Sequence, residues 1–465
     1  MAQEALFPGS EPTPKPASQA PIGGRPRFQA PVRTQREWAE TELDGLVGAD
    51  HRVRVVWEFV QSLDLQPFYG RIRSVEAGAG RPPIDPAILM ALWLYATAEG
   101  VGSARALAKL CTAHDAYRWI CGGVSINYHT LSDFRTEHAD RLDSLLTQSV
   151  AALMKEGIVD LERVSQDGVK VRASAGASSF RGKERLEECL REARAQVETL
   201  KRELTEDPSA TTVRQAAAKT RAAREREERV KRAIAAQEEI EKLKLKYGKK
   251  DVEEPSSEGE AKGSATDEKK QPRGSTTDAD ARVMKHGDGG YRPSFNAQLA
   301  ADTKTQIVVG VHIDNRGNDF RRLSPMLDQL DGRFGKRPKQ ALVDGGYVST
   351  PEIEAVAAGG VEVYAPTRVQ KTTKNPEVAN PHVARPGDGP GVGAWRVRMG
   401  TPEAKEIYKE RASTSECVNA LARNRGLRQF LVRGIEKVRA VMLWFALAHN
   451  LLRAASLRAG VPAVA

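Results

Sequence analysis

The stretch Ala341-Leu342-Val343-Asp344-Gly345-Gly346-Tyr347 constrains the fold most. A short apolar run reaches an Asp and breaks at two glycines, which reads as a buried strand with a sharp end. Asp344 then sits at the carboxyl end of a strand, where open α/β sheets place their ligands. Val164-Ser165-Gln166-Asp167-Gly168-Val169-Lys170-Val171 has the same character, an acid set in a β-prone run that continues past Gly168. A third acid, Glu416, opens a long helical pattern after Tyr408-Lys409-Glu410-Arg411-Ala412-Ser413-Thr414-Ser415. These signals predict an α/β chain whose sheet gathers acids from distant segments.

The flanking sequence supplies the rest of the architecture. Residues 1–36 hold many prolines and glycines without periodicity and read as a disordered arm. Residues 37–155 are predicted helical. Asp85 can cap a helix with Pro86 in its first turn, Ser103 can cap the next, and His129–Arg135 opens another. Short helices with basic residues between them suit a helix-turn-helix-like DNA-binding unit or an ordinary helical bundle. Residues 156–457 carry the sheet, and 458–465 form a tail. Within that region, 181–248 is predicted as an inserted helical hairpin, with Leu186, Leu190, Ala193, Val197 and Leu200 on a heptad seam. Residues 249–278 read as a flexible linker and 367–400 as an irregular insertion rich in Pro and Gly. Strands are expected over 295–301, 305–313 and 361–365, and helices over 319–332 and 351–358.

The formal net charge is +10, which suits a polyanionic partner, although excess Lys and Arg also serve solubility alone. Cys111, Cys121, Cys189 and Cys417 form no CxxC pair, so neither a zinc site nor a disulfide framework is implied. That favours a reducing cytoplasm. No run is read as long enough for a membrane span, and no membrane partner is expected.

Asp167, Asp344 and Glu416 are expected to meet in space and hold Mg²⁺ or Mn²⁺, as two ions. Such cations take a few carboxylates and keep room for substrate phosphate. Two ions about 3.5–4 Å apart can serve the attacking and leaving oxygens of an in-line displacement. Each acid taken singly has an ordinary explanation: Asp-Gly is a common turn, and a Glu near a helix start pairs with the dipole.

The whole pattern resembles the bacterial insertion-sequence transposases of the DDE type, from about Leu43 to Leu457. The motifs are Gly80-Arg81-Pro82, Ile84-Asp85-Pro86, Ser103-Ala104-Arg105 and His129–Arg135 in the helical part. In the sheet region they are Gln166-Asp167-Gly168, Tyr291–Gln298 and Val343–Tyr347. Tyr408, Arg411 and Glu416 match the family's Tyr, Arg, Glu and Lys signature, with Arg423 where Lys is common. The gap from Arg411 to Glu416 is one residue longer than the commonest form, which leaves the role of Arg411 open. The resemblance implies a ribonuclease H-like mixed sheet with flanking helices and an all-α N-terminal DNA-binding domain. Asp167, Asp344 and Glu416 would be metal-binding and catalytic, and Tyr408, Arg411 and Arg423 would contact DNA phosphates. It implies cleavage and strand transfer on double-stranded DNA by a homodimer at the nucleoid of a bacterial cytoplasm. A nuclease using the same core and a DNA-binding protein with decayed catalysis are the rivals. His286, Asn296 and Gln298 either line the site or satisfy strand ends, and the second is favoured.

Overall fold

The helices that open the fold are written in their caps. In the computed structural model, which describes residues 42–70, 72, 82–206, 212–247, 272–367 and 380–460, α1 is Arg52–Ser62 and α2 is Gln66–Tyr69. The next helix, α3, is Pro86–Ala98. Asp85 accepts from Ala87 N at 2.8 Å, and Pro86 fills the first turn, as expected. Almost every α3 residue is buried, so this helix is enclosed by others rather than amphipathic. Then come α4 (Ala104–Ala113), capped by Ser103, α5 (Asp115–Cys121), α6 (Tyr128–Thr136) and α7 (Ala139–Lys155). Gly80 and Arg81 of the expected Gly-Arg-Pro motif, and all of the 1–36 arm, lie outside the described residues.

The sheet begins with β1 (Arg163–Arg172) and is built with β4 (Arg282–Lys285), β5 (Tyr291–Asp302), β6 (Val308–Asp314), β7 (Gln340–Leu342) and β8 (Glu362–Tyr364). Its order is β4-β5-β1-β7-β8, with β6 also paired to β5. The β1–β5 and β5–β6 pairs are antiparallel, whereas β1–β7 and β7–β8 are parallel. Helix α10 (Leu323–Phe334) leads from β6 into β7, and α11 (Thr350–Ala358) connects β7 to its parallel neighbour β8, as parallel pairing requires. This is the mixed sheet with helices that the sequence predicts, with β4 added.

The inserted hairpin is present as α8 (Lys183–Glu206) and α9 (Val213–Tyr247). Leu186, Ala193 and Val197 are buried with Ala223, Val230 and Ala233, the small apolar seam of two packed helices. Its base is closed by β2 (Phe180–Arg181) pairing with β3 (Gly274–Ser275). Gly274 is required there, because a Cβ would collide with Ala233 O and meet Leu186. The expected linker is therefore corrected at its end: 249–271 lies outside the described residues, but Ser275 and Asp278 are buried.

The expected irregular insertion is corrected too. Residues 368–379 lie outside the described residues, while α12 occupies Pro390–Met399. Pro390 suits a first turn, and Val392, Trp395 and Met399 are buried at helical spacing. After α12 come α13 (Pro402–Arg411), a π turn over Ala412–Glu416, α14 (Cys417–Asn424) and α15 (Ile435–Arg458). By length and composition α15 passes for a membrane span, contrary to the sequence reading, yet it is a core helix. It packs against α3, α6, α7 and β6, and Trp444 Nε1 donates to Arg135 O at 3.0 Å. The N-terminal helices and the sheet thus share one hydrophobic core, and the boundary expected at 155–156 divides topology without dividing packing.

Candidate active site

Parallel pairing sets Ser165 of β1 beside Leu342 of β7. Asp167 stands two residues further along β1 and Asp344 two residues past the last β7 residue, so the register brings these acids level with each other where β7 ends. β7 stops at Leu342, and Asp344 lies in the loop beyond it with Gly346 N donating to its Oδ1 at 2.7 Å. Burial pushes the Asp167 carboxyl up to about 6; Arg411 opposes this, and the charges of Asp344 and Asp319 add to it.

Arg411 ends α13 and reaches both Asp167 (Nη2 to Oδ2, 3.3 Å) and Glu416 (Nη1 to Oε1, 3.2 Å). Burial works against its charge, but the acids around it, Asp167 foremost, hold its pKa above the ordinary value. Glu416 lies five positions after Arg411, a spacing that in an ordinary α-helix would turn the two side chains apart. The π turn over Ala412–Glu416 widens the helix by the one surplus residue and restores their common face. Thr414 and Ser415 are buried within it, and the Ser415 and Ser165 hydroxyls are 2.5 Å apart. Asn419, one turn on, donates to Asp167 Oδ2 at 3.1 Å. The structure thus joins Asp167 directly to Arg411, and Glu416 only through Arg411; the Glu416 side chain is 60% exposed.

Tyr408 stands beside the acids, close enough for their charges to bear on it, whereas Arg423 stands apart. The Tyr408 hydroxyl donates to Val343 O at 3.1 Å and braces the segment that leads to Asp344, so it is turned to the chain itself. Arg423 is exposed in the last turn of α14 and makes no ion pair with a described residue. Its spacing of seven from Glu416 keeps it on the same side of the helix.

Behind β1 lies a network that sequence reasoning missed. Strand alternation points Gly168 away from the Asp167 side, toward Asn296 and Gln298 of β5. Asp319, in the loop between β6 and α10, accepts from Asn296 Nδ2 at 2.8 Å and from Gln298 Nε2 at 2.5 Å. Gln298 Oε1 accepts from Gln166 Nε2 at 3.0 Å and from the Tyr347 hydroxyl. Asn296 and Gln298 are fully buried and sit mid-strand, which overturns the reading of them as strand-end groups. His286 does behave as expected, its Nε2 lying 2.7 Å from Ser294 Oγ. The available signal was alternation: Ser294, Asn296 and Gln298 put polar side chains on one face of an otherwise apolar strand.

The acids present a donor set of carboxylate oxygens only, the chemistry of a hard divalent cation. The mutual repulsion of Asp167 and Asp344 is of the kind that added positive charge relieves, and Arg411 now supplies such charge. The residues fit Mg²⁺ or Mn²⁺ in donor type and charge. Among the described residues, no three Asp, Glu, His or Cys side chains are grouped so as to hold an ion in this arrangement.

Two family models match the chain. One, described as a transposase domain, matches residues 41–137, the helices from α1 to α6. The other, described as a transposase DDE domain, matches residues 259–451, which include Asp319, Asp344, Tyr408, Arg411, Glu416 and Arg423 and leave Asp167 outside. No curated protein and no solved structure matches the chain. The two matches follow each other in chain order, over the N-terminal helices and over the sheet from β4 onward, and the chain belongs to the insertion-sequence transposases of the DDE type.

Proposed function

We propose that this transposase binds the terminal inverted repeats of its own element and carries out metal-dependent end cleavage followed by strand transfer. DNA is the substrate of its family, and the family uses divalent metal ions. The observation that carries the reading is the register of β1 and β7, which brings Asp167 and Asp344 level with each other where β7 ends, with Arg411 bridging Asp167 to Glu416. Asp167, Asp344 and Glu416 would hold Mg²⁺ or Mn²⁺, as two ions, which supply Lewis-acid activation of water and charge neutralisation at phosphate.

The chain's own groups do the rest. Asn419 orients the Asp167 carboxylate, and Tyr408 fixes the segment before Asp344. Arg411 balances the acids in the free protein and, once they are otherwise engaged, is placed to turn onto a DNA phosphate. Arg423, exposed on the Glu416 side of α14, meets the backbone further along, with guanidinium geometry suited to phosphate. The helices of 37–155 would bind the element end, and two protomers would act, one per end.

The test is incubation with Mg²⁺ and a DNA carrying the element's end. End cleavage followed by joining to target DNA supports the transposition chemistry. Cleavage without joining, where two ends are paired, favours a nuclease. Binding with no metal-dependent cleavage refutes the proposal and fits a decayed DNA-binding protein.

A further inference from the structure

Asp319 occupies a costly position. It is largely buried behind β1, close enough for its charge to bear on Asp167 and for the charge of Asp344 to bear on it. Burial pushes its own carboxyl up, against the pull of the Asn296 and Gln298 amides. An acid is kept at such a place only where its acceptors are needed. The loop that carries it is stapled at both ends. Asp314 pairs with Arg322, and Arg322 O accepts from Gln166 Nε2 at 3.0 Å. Arg321 within it holds φ at +58°, a left-handed conformation uncommon outside glycine.

A carboxylate is acceptor-only, and this decides the orientation of its neighbour. With Gln298 Nε2 donating to Asp319, Gln298 Oε1 must face the other way, toward the Tyr347 hydroxyl and Gln166 Nε2. Tyr347 is three residues beyond Asp344, and Gln166 immediately precedes Asp167. The space over Gly168 is closed by the same atoms: a Cβ there would lie within 3.0 Å of Asp319, Gln298 and Asn296 atoms. Asn296 Oδ1 points into this space, wholly buried and with no hydrogen-bond partner among the described residues.

We propose that Asp319 is a positioning residue which, through Gln298 and Tyr347, sets the Asp344 loop against the β1 segment carrying Asp167. The inference rests on the metal-dependent transposase reading above. Asp319 acts by accepting two hydrogen bonds, on the opposite side of β1 from Asp167. Loss of those acceptors frees the Gln298 amide to turn and releases Tyr347, so the two acids lose their fixed spacing.

The experiment compares wild type with Asp319→Ala, Asp319→Asn, Tyr347→Phe and Asp344→Ala. Mn²⁺ binding is followed calorimetrically without DNA, and end cleavage is followed as a function of Mn²⁺. Removing a group that orients metal ligands costs about 10–100-fold in metal affinity. Asp319→Ala and Tyr347→Phe are expected to weaken Mn²⁺ binding by that factor and to leave affinity for the DNA end unchanged. Asp319→Asn, which keeps a carbonyl acceptor at the same place, should recover most of the loss. Wild-type Mn²⁺ binding in Asp319→Ala overturns the proposal, as does a loss in Asp319→Asn equal to that in Asp319→Ala, which would assign the effect to charge. If Asp344→Ala abolishes cleavage while Asp319→Ala matches wild type, only the positioning role fails. If wild type neither binds Mn²⁺ nor cleaves, the transposase chemistry fails with it.

Discussion

Gly168 shows how far one residue can be dictated by its surroundings. It lies within a strand, where glycine costs stability, and its φ is not in the left-handed region, so conformational freedom is not its purpose. Its purpose is space for the carboxylate and two amides behind β1. Gly168→Ala is expected to lower stability by about 1–3 kcal/mol through overpacking. It should also slow end cleavage more than it weakens DNA binding; urea unfolding and the two assays check this, and a neutral substitution in all three contradicts it. At this scale the sequence showed part of the candidate site. Asp167 and Asp344 were legible because each interrupts an apolar β pattern, and Gly-Gly ends the second. Asp319 was not, because it falls where the polar stretch Asn315–Asn318 meets the expected start of the 319–332 helix, which begins only at Leu323, and its importance arises from tertiary contact with β5.

At the scale of elements, the π turn is the informative one. The surplus residue between Arg411 and Glu416 was visible in the sequence, but not how the chain absorbs it. Deleting Ala412, which is exposed, should return the segment to α-helix and leave Arg411 and Glu416 at an ordinary i, i+4 spacing on one face. The deletion is therefore expected to retain end cleavage, whereas adding a second alanine beside Ala412 should abolish it. Loss in the deletion and retention in the insertion would refute the alignment role. The α12 helix was missed for a different reason: Gly and Pro dominate the sequence around it, while its helical spacing rests on Val392, Trp395 and Met399.

Helix α15 carries a pH dependence of its own. His449 is fully buried; its Nε2 lies 2.8 Å from Gln306 O and so must bear the proton, and its Nδ1 has no partner among the described residues. Burial holds its pKa down to about 4. The unfolded imidazole titrates near 6.5, so between those values the unfolded chain binds a proton that the folded chain refuses. Stability from this group is complete above about pH 6.5 and is lost as pH falls toward 4. From pH 7 to 5 the wild type should lose on the order of 2 kcal/mol that His449→Gln does not lose, measured by urea unfolding at both pH values. Equal losses in the two proteins would contradict the assignment.

Across the whole molecule, one core joins the N-terminal helices, the sheet and α15. Periodicity showed the helices and the order of the central strands, but the sharing of a core depends on which faces meet, and a single sequence does not carry that. The consequence is functional. On the proposed function, the helices that would bind a DNA end and the sheet that bears the acids are packed together, so a bound end would be delivered at a fixed distance from Asp167 and Asp344. The most direct test of this account is the rate of Mn²⁺-dependent end cleavage by Asp167→Asn, with DNA-end binding and melting temperature measured alongside. The account predicts binding and melting like wild type and a cleavage rate down by more than about a hundredfold, beyond the cost of losing an outer-shell partner. Cleavage near the wild-type rate in that variant would contradict it.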